Sequence, residues 1–309
     1  MSATLAPHQT VRQRKRVLRK AMAAKLSEIS AQDIAAQSSE VSSLILNSDY
    51  WAQAQTVSIY VNMKSGEIIT DQLCTDALKQ GKKLYVPLFA SPASTSEQGK
   101  ETADAGAAVF ARSKESAGLL GQAKLTPHSA PTPPTTSAST NGQAPPVAFP
   151  GPLQASKTPP TTGQVFASDM RMLRIRSQQD FEDMKTNRWG IREPLDYYAV
   201  EGDVSEVEPQ RREDALEQST GGNGLDLILA PGVAFDAECG RLGHGKGYYD
   251  RYISRTTAFN ARNGRRPPAV VALALQEQIL PERERVPADE DDVPITAVAT
   301  PSGWIKRSP

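Results

Sequence analysis

The sequence has few cysteines, no net charge and no long apolar run. It holds only Cys74 and Cys239 among 309 residues, too few for a disulfide framework or a zinc cluster, and this favours a reducing compartment. Its 35 basic residues are balanced by 35 acidic ones, so it lacks the overall positive field that is typical of nucleic-acid-binding proteins. Any anion must therefore be recognised by a local group of residues.

The chain also lacks the segments that direct proteins to membranes or to secretion. No apolar run approaches the roughly 18–20 residues that span a bilayer, and no apolar segment of a secretory signal follows Met1. We therefore predict a cytoplasmic protein. The alternative is a mitochondrial one, because the first acidic residue is Glu28 and four arginines precede it, at 12, 14, 16 and 19, a composition also found in mitochondrial presequences.

Large apolar residues are scarce in the middle of the chain. Residues 90–167 are rich in Pro, Ser and Thr, and such a composition cannot bury enough apolar surface to fold. We predict a disordered insertion that interrupts one domain, because strand candidates lie on both sides of it. The acidic stretch 201–224 is predicted to be similarly loose. The predicted organisation is a flexible N-terminus over 1–10, one α/β domain built from 11–89 and 168–309, and the insertion over 90–167.

Hydrophobic periodicity outside the insertion alternates between helix and strand. Helical spacing begins at Val11, a second helix begins near Ser30 with a capping box to Asp33, and a third runs over 70–79 and ends at Gly81. This alternation predicts a mostly parallel sheet flanked by helices on both faces, with ligands beyond the carboxyl ends of its strands. The strand candidates are residues 57–61, 84–88, 170–175, 225–230, 270–275 and 295–299.

A glycine-rich segment follows the strand candidate 225–230. Residues 240–250 read Gly-Arg-Leu-Gly-His-Gly-Lys-Gly-Tyr-Tyr-Asp. Alternating glycines permit positive φ and let backbone N–H groups converge on an anion, while Arg241, Lys246 and His244 bring positive charge. Asp250 stands where it can hold a divalent cation against a bound phosphate. The spacing is neither that of a P-loop nor that of a dinucleotide fingerprint, and alone it fits a solvated surface turn equally well.

The residues around this segment resemble the signature of the 5-formyltetrahydrofolate cyclo-ligase (methenyltetrahydrofolate synthetase) family. Four further segments resemble the family's motifs in the same order, namely 15–19, 66–70, 189–194 and 286–300. We expect the resemblance to cover 11–89 and 168–305 and to fail between them. The signature residues are Pro231, Gly232, Phe235, Asp236, Arg241, Leu242, Gly243, Gly245, Gly247, Tyr248, Tyr249 and Asp250.

The resemblance implies an ATP- and Mg²⁺-dependent cyclisation of 5-formyltetrahydrofolate to 5,10-methenyltetrahydrofolate, through a phosphorylated formyl intermediate, with ADP and phosphate as co-products. It implies folate and ATP as the partners of a monomer that binds neither nucleic acid nor membrane. The implied catalytic charges are Lys15, Arg19, Arg241 and Lys246, and the implied Mg²⁺ ligands are Asp250 and Asp292. Implied ATP contacts are Lys15, Arg16, Val17, Leu18, Arg19, Arg241, Leu242, Gly243, His244, Gly245, Lys246, Gly247, Tyr248 and Tyr249. Implied folate contacts are Glu67, Trp189, His244, Gly245, Lys246, Gly247 and Tyr248, with Tyr249 as the alternative stacking tyrosine.

Each candidate also has a structural alternative. An isolated Trp189 is more often a core residue, Glu67 is an ordinary acid at a strand end, and His244 is only a small polar donor. In the acidic run 289–292, solvated charge is the default for every member except Asp292. Sugar-phosphate isomerases and deaminases have a similar architecture without needing Mg-ATP. A non-catalytic alternative is a folate carrier, or a protein that displays the insertion to SH3-like partners. This alternative gives no role to Lys246 and Asp250.

Overall fold

A seven-stranded sheet forms the centre of the computed structural model, which describes residues 10–63, 65–89, 169–187, 190–199 and 209–307. Its strands are β1 Thr56–Ile59, β2 Lys83–Phe89, β3 Met170–Ile175, β6 Leu227–Ala230, β9 Ala269–Leu273, β10 Ala297–Thr300 and β11 Gly303–Lys306. Their order across the sheet is β11-β10-β9-β6-β1-β2-β3. The inner strands β10, β9, β6, β1 and β2 run parallel, and the edge strands β11 and β3 are antiparallel to their neighbours. Two-stranded ribbons pair β4 Lys185–Thr186 with β5 Arg192–Glu193 and β7 Ala234–Phe235 with β8 Arg241–Leu242.

The inner strands are buried on both faces. Every residue of β1, β6 and β10 is buried, as expected for parallel strands that helices cover. The helices are α1 Val11–Leu26, α2 Ala31–Leu46, α3 Asp49–Gln53, α4 Asp71–Lys79, α5 Gln178–Glu182 and α6 Tyr248–Arg262. Helices α2 and α4 pack against each other and against the sheet, while α6 contacts β3. The predicted mostly parallel α/β sheet is confirmed. No helix in the described part of the chain is long and apolar enough to cross a bilayer.

Side-chain caps fix where the first two helices begin. Thr10 and Gln13 form a reciprocal capping box on α1, with Gln13 N donating to Thr10 Oγ1 at 3.2 Å and Thr10 N donating to Gln13 Oε1 at 2.9 Å. Thr10 therefore belongs to the folded domain and not to a flexible N-terminus. At α2 the predicted capping box is only half formed. Ser30 Oγ accepts from Asp33 N, but the Asp33 carboxylate accepts a hydrogen bond from the Ser30 hydroxyl and not from the Ser30 backbone N–H.

The prediction that residues 201–224 form a loose insertion is wrong for the part that the structure describes, 209–224. Arg212, Glu213, Asp214 and Ala215 are buried. The backbone N–H of Arg174 donates to Glu213 O at 2.9 Å, and that of Ala215 donates to Met172 O at 3.0 Å. The segment therefore covers the outer edge of β3, whose backbone groups need partners.

Residues 90–168 connect two strands that are hydrogen-bonded neighbours. Phe89 pairs with Met170 at the last register position of the antiparallel β2 and β3 strands. Both flanks of the predicted insertion therefore contribute to one sheet. The predicted disorder of 90–167 lies outside the described residues, and so does the predicted flexibility of residues 1–9.

Candidate active site

The glycine-rich segment lies between the β7–β8 ribbon and helix α6. We call residues 243–247 the glycine loop. Gly245 has φ +91° and Gly247, the N-cap of α6, has φ +65°, which are left-handed conformations that favour glycine. The loop leads into a helix of 15 residues, whose first backbone N–H groups lack partners within the helix and carry partial positive charge. This geometry suits an anion such as phosphate.

Arg19 of α1 contacts the glycine loop directly. Its Nε donates to Gly243 O at 2.7 Å, and its guanidinium carbon lies 3.1 Å from the position of a β-carbon added to Gly245. A side chain at residue 245 would therefore crowd Arg19. Burial lowers the pKa of Arg19, yet a guanidinium remains charged in a protein. Arg19 thus brings a fixed positive charge to the loop from a helix that is distant in the sequence.

Lys15, one helical turn before Arg19, is held by two carboxylates. Its Nζ lies 2.8 Å from Asp289 Oδ2 and 2.5 Å from Asp292 Oδ2. Burial alone lowers the pKa of Lys15, but the hydrogen bonds to Asp289 and Asp292 outweigh it, and the pKa lies above its ordinary value. Lys15 is therefore an ammonium at neutral pH. The structure brings Lys15 and Asp292 into contact, with Arg19 close enough to feel the charge of Asp292.

Arg241 lies beneath the loop and binds Asp250. Its side chain is only 3% exposed, and its Nη2 donates to Asp250 Oδ1 at 2.8 Å. A further hydrogen bond joins its Nη1 to Pro231 O. In this position Arg241 supports Asp250 and the residues beside the loop. The contact of Arg241 with a transferred phosphoryl group stays a prediction.

The two predicted metal ligands lie on adjoining segments. Asp250 Oδ1 accepts from the backbone N–H of Val293, the residue after Asp292, at 3.3 Å. Within the described residues, Asp250 Oδ2 and Asp292 Oδ1 accept no hydrogen bond, and no group of three His, Cys, Asp or Glu side chains could hold a metal. Mg²⁺ commonly takes one or two carboxylates and completes its shell with water and phosphate oxygens. Asp250 and Asp292 therefore fit an ion shared with a nucleotide better than a closed protein site.

Glu67 and His244, a residue of the glycine loop, lie next to each other. Glu67 is buried, and its Oε2 accepts from Met63 N at 2.8 Å while its Oε1 lies 3.4 Å from His244 Nε2. His244 is exposed. Two predicted folate contacts are thus neighbours, although their positions in the sequence are far apart.

The structure separates the two tyrosines that follow the loop. Tyr248 is half-buried, with its ring centroid 5.2 Å from that of Phe89 and 5.5 Å from the guanidinium carbon of Arg251. Tyr249 is only 7% exposed and belongs to the main core, where burial raises the pKa of its hydroxyl. The geometry favours Tyr248 over Tyr249 as the ring available to a ligand. Trp189 lies outside the described residues.

The other predicted ATP contacts divide by helix face. Arg16 and Val17 are exposed on α1, because 3.6 residues per turn place them away from the face of Lys15 and Arg19. The structure does not bring them to the loop. Leu18 and Leu242 join α1 to the β7–β8 ribbon in a small hydrophobic cluster. Lys246 is half-buried, and its carbonyl accepts from Arg251 Nη1 at 3.0 Å.

Two residues near this site were missed in the sequence. Asp289 binds Lys15, and Arg251 binds the carbonyl of Lys246 while pairing with Asp169 at 2.9 Å. The spacing of Asp289 three residues before Asp292, in a turn closed by Asp292 N donating to Asp289 O, was the one local signal. Arg251, four residues after Gly247 in an arginine-rich helix, had none.

Comparison with known proteins relates this chain to one family. The model of the 5-formyltetrahydrofolate cyclo-ligase family matches residues 11–122 and 147–301. A probable 5-formyltetrahydrofolate cyclo-ligase of Caenorhabditis elegans is 26% identical over 288 residues, which cover 93% of each chain. The 5-formyltetrahydrofolate cyclo-ligase of Mus musculus is 38% identical over 135 residues, 44% of this chain and 55% of that protein.

A solved structure supports the fold. The 5,10-methenyltetrahydrofolate synthetase of Aquifex aeolicus superimposes with a TM-score of 0.51 at 21% identity, covering 94% of this chain and 92% of that one. At this identity the likeness concerns the fold alone.

The family match is broader than the motifs indicated. The motifs predicted that the resemblance fails over 90–167, but the match continues to residue 122 and resumes at 147. With most of its length matched, from the first helix to the last parallel strand, the chain belongs to the 5-formyltetrahydrofolate cyclo-ligase family.

Proposed function

We propose that this chain converts 5-formyltetrahydrofolate and ATP to 5,10-methenyltetrahydrofolate, ADP and phosphate, in a reaction that needs Mg²⁺. One observation carries the proposal. In a chain of this family, Arg19 and the N-terminus of α6 converge on the glycine loop, with Lys15, Asp250 and Asp292 close by. Positive charge and carboxylates are the two requirements of a site that binds a nucleotide with a divalent cation.

The reaction requires activation of a poor leaving group. The formyl oxygen attacks the γ-phosphorus of ATP, and ADP leaves. The N10 amine then attacks the formyl carbon and loses its proton, and the carbon–oxygen bond breaks so that phosphate departs with the former formyl oxygen. Catalysis of the first step consists of positioning and of charges aimed at the moving phosphoryl group.

The residues on α1 and in the loop supply these charges. Lys15 and Arg19 are cations held on one helix face, and Lys246 stands between Gly245 and Gly247 at the start of α6. Backbone N–H groups at the helix start add donors without a further side chain. Mg²⁺ bound by Asp250 and Asp292 would neutralise charge on the nucleotide phosphates.

The folate side of the site uses different groups. The Tyr248 ring offers a flat apolar face for a pterin or aminobenzoate ring. The Glu67 carboxylate, fixed by Met63 N and next to His244, can accept hydrogen bonds from pterin nitrogens. Trp189 remains a proposed folate contact.

The appearance of methenyltetrahydrofolate absorbance on mixing the protein with 5-formyltetrahydrofolate, ATP and Mg²⁺ tests the proposal. We expect Lys246→Ala to lower kcat by about two to three orders of magnitude, as loss of one preorganised electrostatic contact does. The matched control is Lys20→Ala, which removes an exposed lysine of α1. Product formation without ATP, or none with all components present, would contradict the proposal.

A further inference from the structure

Lys15 has two carboxylate partners, and the proposed function gives one of them another task. The Lys15 side chain is 11% exposed, and its Nζ contacts both Asp289 and Asp292. If Asp292 binds a cation, its negative charge is shared with that ion. An ammonium has three donor hydrogens and no acceptor, and Asp289 is the carboxylate partner of Lys15 that is not assigned to the cation.

Asp289 is fixed by its own turn. Its Oδ2 faces Lys15, while its Oδ1 lies 3.3 Å from the backbone nitrogen of Asp291. The turn is closed by Asp289 N donating to Asp292 Oδ2 at 2.7 Å and by Asp292 N donating to Asp289 O at 3.2 Å. Asp289 thus connects the turn that carries Asp292 to the helix that carries Lys15 and Arg19.

The neighbouring acids lack these contacts. Glu290 and Asp291 are exposed, and in the part of the chain that the structure describes their carboxylates take part in no hydrogen bond or ion pair. Of Asp289, Glu290 and Asp291, only Asp289 therefore contacts Lys15 among the described residues. Substitution of Glu290 or Asp291 therefore serves as a control, because each removes one negative charge from the same turn as substitution of Asp289 does.

We propose that Asp289 is a positioning residue that holds the Lys15 ammonium for a nucleotide phosphate, one helical turn from the contact of Arg19 with the glycine loop, while Asp292 is left to the cation. The proposal rests on the proposed function, since it takes the ligand to be ATP with Mg²⁺. Of the three donors of Lys15, one goes to Asp289 and one to Asp292, which leaves the third for an incoming phosphate oxygen. Arg19, on the same helix face, is held in a similar way by Gly243 O.

A double-mutant cycle on ATP affinity tests the proposal without relying on turnover. The dissociation constant for ATP with Mg²⁺ is measured by titration calorimetry in the absence of folate, for Asp289→Ala, Lys15→Met and the double variant. We expect Asp289→Ala to weaken binding about tenfold in the unaltered background and less than about twofold beside Lys15→Met, because contacting residues are coupled. Asp289→Glu should recover part of the loss, and Asp291→Ala and Glu290→Ala should bind as the unaltered chain does.

Different results overturn different statements. Equal losses from Asp289→Ala in both backgrounds would show an effect that bypasses Lys15, and tighter binding would show that Asp289 only competes with phosphate. Either would overturn the inference and leave the proposed function standing. An unaltered chain that binds no ATP would overturn both. If thermal unfolding shows that Asp289→Ala does not fold, Asp289→Asn, which can still accept from Asp291 N, takes its place in the same cycle with the same expected losses.

Discussion

The Arg19 guanidinium lies 3.1 Å from the point that a β-carbon on Gly245 would occupy. A contact of 3.1 Å is tighter than most β-carbon contacts, so a side chain at residue 245 would push the Arg19 guanidinium by a few tenths of an ångström and strain its hydrogen bond to Gly243 O. A side chain at residue 245 is therefore disfavoured by a residue that is more than two hundred positions away in the sequence. This relationship ties helix α1 to the glycine loop.

Gly245→Ala should lower turnover about tenfold, because it displaces Arg19, and should lower the free energy of unfolding by about 1–2 kcal/mol, because alanine is strained at φ +91°. Steady-state kinetics and chemical denaturation measure the two effects. The control is Gly264→Ala, because Gly264 has φ +64° and a β-carbon added there would meet no described atom within 4 Å beyond its chain neighbours. It should lose stability and keep its turnover. Equal turnover in both variants would mean that the Arg19 contact is not needed.

Substitution of the two tyrosines should have different effects. Tyr248→Ala should raise the KM for folate more than that for ATP, since its ring is proposed to stack on the folate. Tyr249→Ala should instead lower the free energy of unfolding by about 3–5 kcal/mol, as truncation of a buried aromatic residue does. Kinetics with each substrate varied in turn, together with denaturation curves, separate the two outcomes. A destabilised Tyr248→Ala with both KM values unchanged would remove Tyr248 from the folate site.

Asp250→Asn should weaken the use of Mg²⁺ while preserving the fold around Arg241. The amide oxygen can still accept from Arg241 and Val293 N, but its loss of charge reduces the attraction for a cation. We expect a higher Mg²⁺ concentration for half-maximal turnover and partial recovery of activity at high Mg²⁺. Asp291→Asn, an exposed neighbour of Asp292, serves as the control. If added Mg²⁺ recovers nothing, Asp250 has only a structural role.

The buried Glu213 should make stability fall at acid pH. Burial alone raises the pKa of Glu213, but hydrogen bonds from Tyr85, Arg174 and Lys83 outweigh it, and the pKa is lowered. A lowered pKa contributes stability that is complete above the unfolded-state value of about 4.3 and is lost as pH falls from there through the lower folded-state value.

Unfolding free energies measured across that acid range test this expectation. Glu213→Gln should be less stable than the unaltered chain at neutral pH and should show a smaller fall on acidification, because its amide does not titrate. Glu284→Gln, at an exposed position, should follow the unaltered chain. Parallel pH curves for Glu213→Gln and the unaltered chain would show that Glu213 is not the group responsible.

The sequence predicted those elements whose local pattern is strong. Residues 170–175 were predicted as a strand and form β3 with the same bounds, and helix α1 begins at Val11 as expected. Helix α6 was not predicted, although Tyr249, Tyr252, Ile253, Thr256 and Phe259 recur on its buried face at helical spacing. Tyr and Thr are weaker helix signals than leucine or methionine, so this spacing does not stand out in the sequence.

The site residues could be predicted only from the family motifs, because residue spacing does not show which distant residues meet in the fold. Lys15 and Asp289 are separated by 274 positions, and no local pattern reveals that they meet. The burial of Arg241 was equally hidden, since arginine is usually exposed, and its partners in the structure are the Asp250 carboxylate and the carbonyl of Pro231. The acidic composition of 201–224 predicted a loose segment, whereas Arg174 and Lys83 from neighbouring strands neutralise its buried Glu213.

Transfer of the formyl oxygen to phosphate is the most direct test of the proposed reaction. The unaltered protein is supplied with ATP, Mg²⁺ and 5-formyltetrahydrofolate whose formyl oxygen carries a heavy isotope, and the phosphate released is analysed by mass spectrometry. Attack of the formyl oxygen on ATP, followed by departure of phosphate, predicts one heavy oxygen in each phosphate for each methenyltetrahydrofolate formed. Formation of the product with unlabelled phosphate would contradict the phosphorylated formyl intermediate.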